Sequence, residues 1–286
     1  MPVYTLDQLL HIYATQYLPQ LAPRTQYQRR RLFARFATDL GAFPLDTLTP
    51  LRLRHYRDAL SRTLKPGTVR QYLDALSAVF TVAVEELEWL DVNPLAKVRK
   101  PPASPGRVRV LSTEERTRLL AACAASPNPS LYRLVLLALT TGARRGELLS
   151  LTWQHVDLER GFLRLAQTKN RERRAVPVPS QTLTQLTRWS QGQPLAGWVV
   201  PRSSGRSVFP GEHAWKVALK KADVPDFRFH DLRHTFASYL AMSGATLAEI
   251  AEVLGHKTLS MVRRYIHFTQ PHTQGLVEKM AATFLA

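Results

Sequence analysis

His230-Asp231-Leu232-Arg233-His234 is followed by Leu254-Gly255-His256 and Arg264-Tyr265, and preceded by Thr141-Gly142-Ala143-Arg144. His230 and Arg233 stand one turn apart on a helix, so both side chains point the same way. The glycine at 142 ends one helix and opens another. Gly255 and Thr258-Leu259-Ser260 break the chain between His256 and Tyr265. These two are nine residues apart and would face opposite sides of one straight helix, so they converge only from separate segments. The region therefore reads as short helices joined at glycine breaks that bring cations together.

Working outward, Ser112-Thr113-Glu114-Glu115 has the spacing of a capping box and opens this domain. Helices are expected at about 113–125 and 130–140. Alternating segments at Phe162 to Ala166 and Ala175 to Val178 predict a β-hairpin, and the chain reads helical again after Glu212. The first 90 residues predict four short-looped helices. Thr5-Leu6-Asp7-Gln8 caps the first; the second runs from Thr25 to Asp39, stopping at Gly41. Thr49-Pro50 opens the third, to Arg62, and the fourth runs from Thr68 to Trp89 with an apolar face from Tyr72 to Val84. Between the two regions, Val92 to Thr113 holds four prolines, five basic residues and no acid. It predicts a stiff, extended tether lying on phosphates. The expected domains are 1–91, a linker at 92–111, and 112–286.

The chain has 39 lysines and arginines against 22 acids, a formal charge of +17, which favours a polyanion such as nucleic acid. Cys123 is the single cysteine and forms no internal disulfide, in keeping with a reducing cytoplasm. The start, Met1-Pro2-Val3-Tyr4-Thr5, lacks the pattern of a signal peptide. The apolar run Leu134 to Leu139 is far short of the roughly 20 residues that span a bilayer. A soluble cytoplasmic protein without a membrane partner is expected.

The candidate chemistry is phosphate binding. Arg233 can fork onto two phosphate oxygens while His230 adds a donor. His230 and His234 also have zinc spacing, and core histidines fit as well. Two features count against a metal: the glutamate of His-Glu-x-x-His is missing, and Arg233 places a fixed positive charge beside the ion. Arg144 near a helix start suits an anion and Glu147 can lock its orientation, although a surface Arg–Glu pair reads the same. Lys169 in Gln167-Thr168-Lys169-Asn170 reads, taken alone, as a solvated hairpin tip. Tyr265 alone reads as core or rim, and nearby cations would lower its pKa from about 10. The expected DNA contacts are Arg29, Arg30, Lys97, Arg99, Lys100, Arg107, Arg109, Arg145 and Arg171.

Thr-Gly-x-Arg-x-x-Glu, a hairpin lysine before Arg174-Ala175-Val176-Pro177, His-x-Leu-Arg-His, Leu-Gly-His and a tyrosine nine residues later resemble the tyrosine recombinase (phage integrase) family. Asn93-Pro94 and the stretch from Trp153 to Asp157 look familial too. The resemblance implies a mainly α fold with a small β-sheet, made of an N-terminal four-helix core-binding domain and an α+β catalytic domain, the two clamping duplex DNA. It implies catalytic Arg144, Lys169, His230, Arg233, His256 and Tyr265, with Lys169 protonating the leaving oxygen, and a 3′-phosphotyrosine intermediate that needs no metal, ATP or other cofactor. It also implies a homo-oligomer on DNA, a tetrameric synapse with accessory DNA-bending or directionality factors, in which the C-terminal tail 271–286 passes to a neighbour. Leu276, Val277, Met280 and Phe284 give that tail one apolar face. No further N-terminal domain is expected before the first helix. Two other readings use the same residues: strand relaxation of the type IB topoisomerase kind, and a non-catalytic DNA-binding regulator.

Overall fold

The structure is a computed structural model that describes residues 3–102, 107–166, 173–201, 212–268 and 270–284. The chain divides into two units, Met1–Pro105 and Gly106–Ala286.

In the first unit, α1 (Leu6–Ile12) carries the expected capping box, with the Thr5 hydroxyl and the Gln8 side chain each accepting from the other residue's amide. The helix runs on through a π turn at Tyr13–Tyr17 and a 3-10 turn at Leu18–Gln20. Next come α2 (Pro23–Leu40), α3 (Pro50–Thr63) and α4 (Pro66–Glu85). The Thr49 hydroxyl caps α3 by accepting from the Arg52 amide. Burial of Leu6, Leu9, Phe36, Leu53, Leu73, Leu76, Val79 and Phe80 holds the helices together. The fourth helix stops short of Trp89 because Glu88 adopts a left-handed φ of 54°. That turn lays the Trp89 ring on Tyr4, with centroids 3.7 Å apart.

Residues 92–102 depart from the expected extended tether. Leu95 and Val98 are buried in the core of the first unit. The Asn93 amide donates to the Ser77 carbonyl, Arg57 and Arg70 donate to the carbonyls of Arg99 and Pro101, and Lys100 pairs with Asp74 at 2.6 Å. Apolar side chains among the prolines outweigh the basic run, of which Lys100 finds a counter-charge within the unit. The segment from Arg107 belongs to the second unit, where the Leu111 amide donates to Thr235.

The second unit opens with α5 (Thr113–Ala124), capped by Ser112 and Glu115 as expected, then α6 (Pro129–Thr141) and α7 (Arg145–Leu149). An antiparallel sheet follows, in the order β1 (Val156–Asp157), β2 (Phe162–Ala166), β3 (Arg173–Pro177). Its register pairs Leu163 with Val176 and Leu165 with Arg174. After it come α8 (Ser180–Ser190), α9 (Glu212–Lys221), α10 (Asp231–Met242), α11 (Leu247–Leu254), a 3-10 segment at Arg263–Phe268, and α12 (Gln270–Phe284). Leu134, Val135, Leu148, Trp153, Leu163, Val176, Leu186 and Leu232 form one core. A smaller one joins Ala237, Ala241, Ile250, Leu254, Val262 and Tyr265. No helix among the described residues is long and apolar enough to cross a membrane.

Candidate active site

Three chain breaks build the site. α6 ends at Gly142, whose φ of 61° lets α7 turn away; a Cβ there would lie 2.4 Å from the Phe236 ring. α11 ends at Gly255, φ 64°, and α10 starts just after His230. Arg233, on α10, is 4% exposed. It donates to the carbonyls of Gly142 and Leu254, both at 2.7 Å, and its Nη2 lies 2.9 Å from His256 Nε2. Arg144 stands at the N-cap of α7 and keeps 37% of its side chain exposed. It pairs with Glu147 at 2.9 Å and donates to the Gly255 carbonyl at 3.3 Å. Glu147 also accepts from the Arg144 amide at 2.7 Å, so the expected locking role has a fixed geometry.

Burial, then the Arg144 and Arg174 charges, lowers the Arg233 guanidinium to about 9. Burial, then Arg233 and Arg144, lowers His256 to about 3, so its ring is neutral. A guanidinium donates to Nε2, so the ring proton sits on Nδ1, which is buried without a partner. Unpaired guanidinium capacity, an unused ring N–H and several positive charges around one carboxylate suit an oxyanion.

Tyr265 is 1% exposed, and its hydroxyl shares a 2.6 Å hydrogen bond with His234 Nδ1. The expected fall in its pKa is corrected. Burial pushes the phenol up and outweighs the lowering by Arg264 and Arg233. Burial, then His230 and Arg264, lowers His234 to about 4. His230 stands exposed at the N-cap of α10, its ring edge-on to His234 at 5.1 Å. Partial enclosure of the ring and then the Arg233 charge hold its pKa below the usual 6.5. Among the described residues no three His, Cys, Asp or Glu side chains gather as metal ligands would.

Arg144, Glu147, Arg233 and His256 thus meet in one cluster, and Tyr265 packs beside it with Ala237, Ala241 and Leu254, its hydroxyl on His234, the residue after Arg233. Lys169 and Arg171 lie outside the described residues. Two participants do not stand out from the sequence. His234 reads there only as a zinc ligand or a core histidine. Arg174 is signalled by strand alternation, because it shares the inward face with buried Val176.

The expected DNA contacts divide by partner. Arg29 donates to the Ala75 carbonyl, Arg107 pairs with Asp226 and Asp231, and Arg109 forks onto Glu115. Arg145 lies 6.0 Å from the Phe229 ring. Arg30, Lys97 and Arg99 are exposed.

Residues 109–272 match the phage integrase family, and the chain belongs to that family. It is 34% identical over 237 residues to the shufflon-specific DNA recombinase of Escherichia coli, a match covering 78% of this chain and 59% of that protein. The chain therefore spans less than two thirds of that relative's length. It is 30% identical over 268 residues to tyrosine recombinase XerC of Alcanivorax borkumensis, covering 88% of this chain and 86% of that one. Among solved structures, lambda integrase as a dimer bound to a COC′ core site superposes with a TM-score of 0.73 at 22% identity, covering 92% of this chain and 77% of that one. The same integrase as a tetramer bound to a Holliday junction gives 0.71, with the same identity and coverage. The likeness to lambda integrase is one of fold: a mainly α chain with a small β-sheet.

Proposed function

We propose that this chain is a site-specific DNA recombinase that cuts and rejoins strands through a covalent bond to Tyr265. The observation that carries the reading is the cluster of Arg144, Arg233 and His256 at the ends of α6 and α11, with the Tyr265 hydroxyl held beside it by His234. Family membership and the recombinase relatives support it.

In the proposed reaction the scissile phosphate enters between Arg144, Arg233 and the His256 imidazole. These donors hold the non-bridging oxygens, where negative charge accumulates. The Tyr265 oxygen leaves His234, gives its proton to the imidazole of His230 and attacks phosphorus. The bond from phosphorus to the 5′ oxygen breaks, and that oxygen takes a proton, a role the family resemblance gives to Lys169. His230, at the lip, helps to move protons and position the phosphate. A 3′-phosphotyrosine and a free 5′-hydroxyl result. Attack by a 5′-hydroxyl from another strand reverses the step, so the bond energy is conserved without ATP. The guanidinium charges supply the stabilisation for which other nucleases use a metal.

On this reading the first unit is a core-type DNA-binding domain and the second the catalytic domain, and the protein works in the cytoplasm. The partners are duplex DNA and further copies of the chain, assembled as a tetrameric synapse with accessory factors. α12 leaves Val277, Met280 and Phe284 exposed, which supports passing the tail to a neighbour.

The test is a nicked suicide substrate carrying the protein's own site, with chelator present. Wild type forms a denaturation-resistant DNA complex, and Tyr265→Phe binds equally well but forms none. An adduct that requires magnesium, or one that persists in the variant, refutes the reading. Relaxation of supercoiled DNA without exchange between paired sites would mark a topoisomerase instead.

A further inference from the structure

Arg174 belongs to no part of the mechanism above, yet its guanidinium is built into the site. It projects from the inward face of β3, with 10% of its side chain exposed. Its Nη2 pairs with Glu147 Oε2 at 2.9 Å, and its Nη1 donates to the Leu254 carbonyl. Both partners are shared. Glu147 holds Arg144 through its other oxygen at 2.9 Å, and the Leu254 carbonyl accepts from Arg233 Nη2 at 2.7 Å.

The surroundings are shaped to this side chain. A Cβ on Gly255 would lie 2.3 Å from Arg174 Nη1 and 2.9 Å from its Cδ, so any larger residue pushes the guanidinium off Leu254. Three arginines surround one buried carboxylate. Carbonyls at the C-terminus of α11, the negative end of its dipole, supply the rest of the compensation. Both terminal nitrogens of Arg174 are committed, and its Nε is buried. It is therefore not placed to touch a phosphate.

We propose that Arg174 is a positioning residue: its planar fork joins Glu147 to the Leu254 carbonyl, and so fixes the orientations of Arg144 and Arg233 relative to one another. This rests on the reading of those two arginines as the phosphate-binding pair. Lysine cannot replace it, because a single ammonium on a flexible stem does not reproduce a planar two-acceptor bridge. Loosening the pair by about 1 Å costs on the order of 10²-fold in rate.

The experiment compares full-length wild type, Arg174→Gln, Arg174→Lys and Arg144→Ala on suicide substrates. One substrate carries an ordinary scissile phosphate, and the other a methylphosphonate that lacks one anionic non-bridging oxygen. Half-site affinity is expected to stay near wild type in both Arg174 variants. Cleavage at saturating protein should fall about 10²-fold in Arg174→Gln, with Arg174→Lys failing to restore it. The deficit should narrow on the methylphosphonate, as it should for Arg144→Ala, because less charge then needs oriented cations. A merely structural defect would be equally large on both substrates, and that result overturns the proposal. So does a lysine variant with full activity. If Arg174→Gln does not fold, Gly255→Ala displaces the guanidinium while keeping it, and must show the same substrate-dependent deficit. Absence of any adduct in wild type would sink the reading of the site itself. An active wild type matched by Arg174→Gln would sink this inference alone.

Discussion

Glu147→Gln tests the electrostatics of the cluster directly. The Glu147 side chain is 1% exposed and carries ion pairs at 2.9 Å to both Arg144 and Arg174. The amide keeps the shape and one acceptor oxygen, but it turns an N–H donor toward a guanidinium and removes the charge. Removing one partner of a buried ion pair typically costs about 3–5 kcal/mol, mostly because the other charge stays buried and unpaired. Arg144 keeps 37% exposure and recovers water, whereas Arg174 at 10% cannot. The low end, about 3 kcal/mol, therefore applies. For a unit of about this size each kcal/mol moves the melting midpoint by about 2–4 °C, so Tm should drop by about 6–12 °C. Thermal melting of the full chain near neutral pH, followed by near-UV circular dichroism, reads this out. A shift under about 2 °C would refute the picture of a buried carboxylate holding two arginines.

Other outcomes follow from the same geometry. Arg144→Ala and Arg233→Ala should each lose about 10²–10³ in cleavage rate while binding a half-site nearly as well. Equal losses in both assays would make them ordinary backbone contacts. The folded chain keeps His256 and His234 neutral, with pKa values lowered to about 3 and about 4, while the unfolded chain protonates both below about 6.5. Their contribution to stability is therefore complete above that pH and is lost as pH falls toward the folded values. Unfolding free energy should decline from neutral pH toward about 5, and His256→Gln should flatten the slope; an unchanged slope would contradict a neutral buried His256. Truncation after Thr269 should preserve half-site binding and impair cooperative assembly on paired sites. Normal recombination by the truncated chain would rule out tail exchange.

Much of the fold is legible where local chemistry is strong. Capping boxes at Thr5 and Ser112, proline after Thr49, and Gly142 place helix boundaries because each satisfies exposed backbone groups or supplies a required φ. α8 leaves little trace, because Ser180–Ser190 is rich in threonine and offers only Leu183, Leu186 and Trp189 as an apolar signal. β3 starts before the expected Ala175 because Arg173 and Arg174 read as loop charges, whereas Arg174 faces inward. Residues 92–102 mislead for the opposite reason: proline and basic charge suggest extension, and burial of Leu95 and Val98 decides otherwise. In the site, residue types and order are readable from the motifs. The sharing of Glu147 and Leu254 between arginines is not, since carbonyls leave no mark in sequence. The direction of the Tyr265 pKa shift depends on burial, which spacing cannot report.

The most direct measurement identifies the residue and DNA end in the trapped adduct. Cleavage after Arg264 and Lys279 releases a peptide, residues 265–279, whose one tyrosine is Tyr265. Mass spectrometry of nuclease-trimmed adduct should find the nucleotide on Tyr265, joined through a 3′-phosphate with the 5′-hydroxyl left free. Attachment at another residue, or through a 5′-phosphate, would contradict the account.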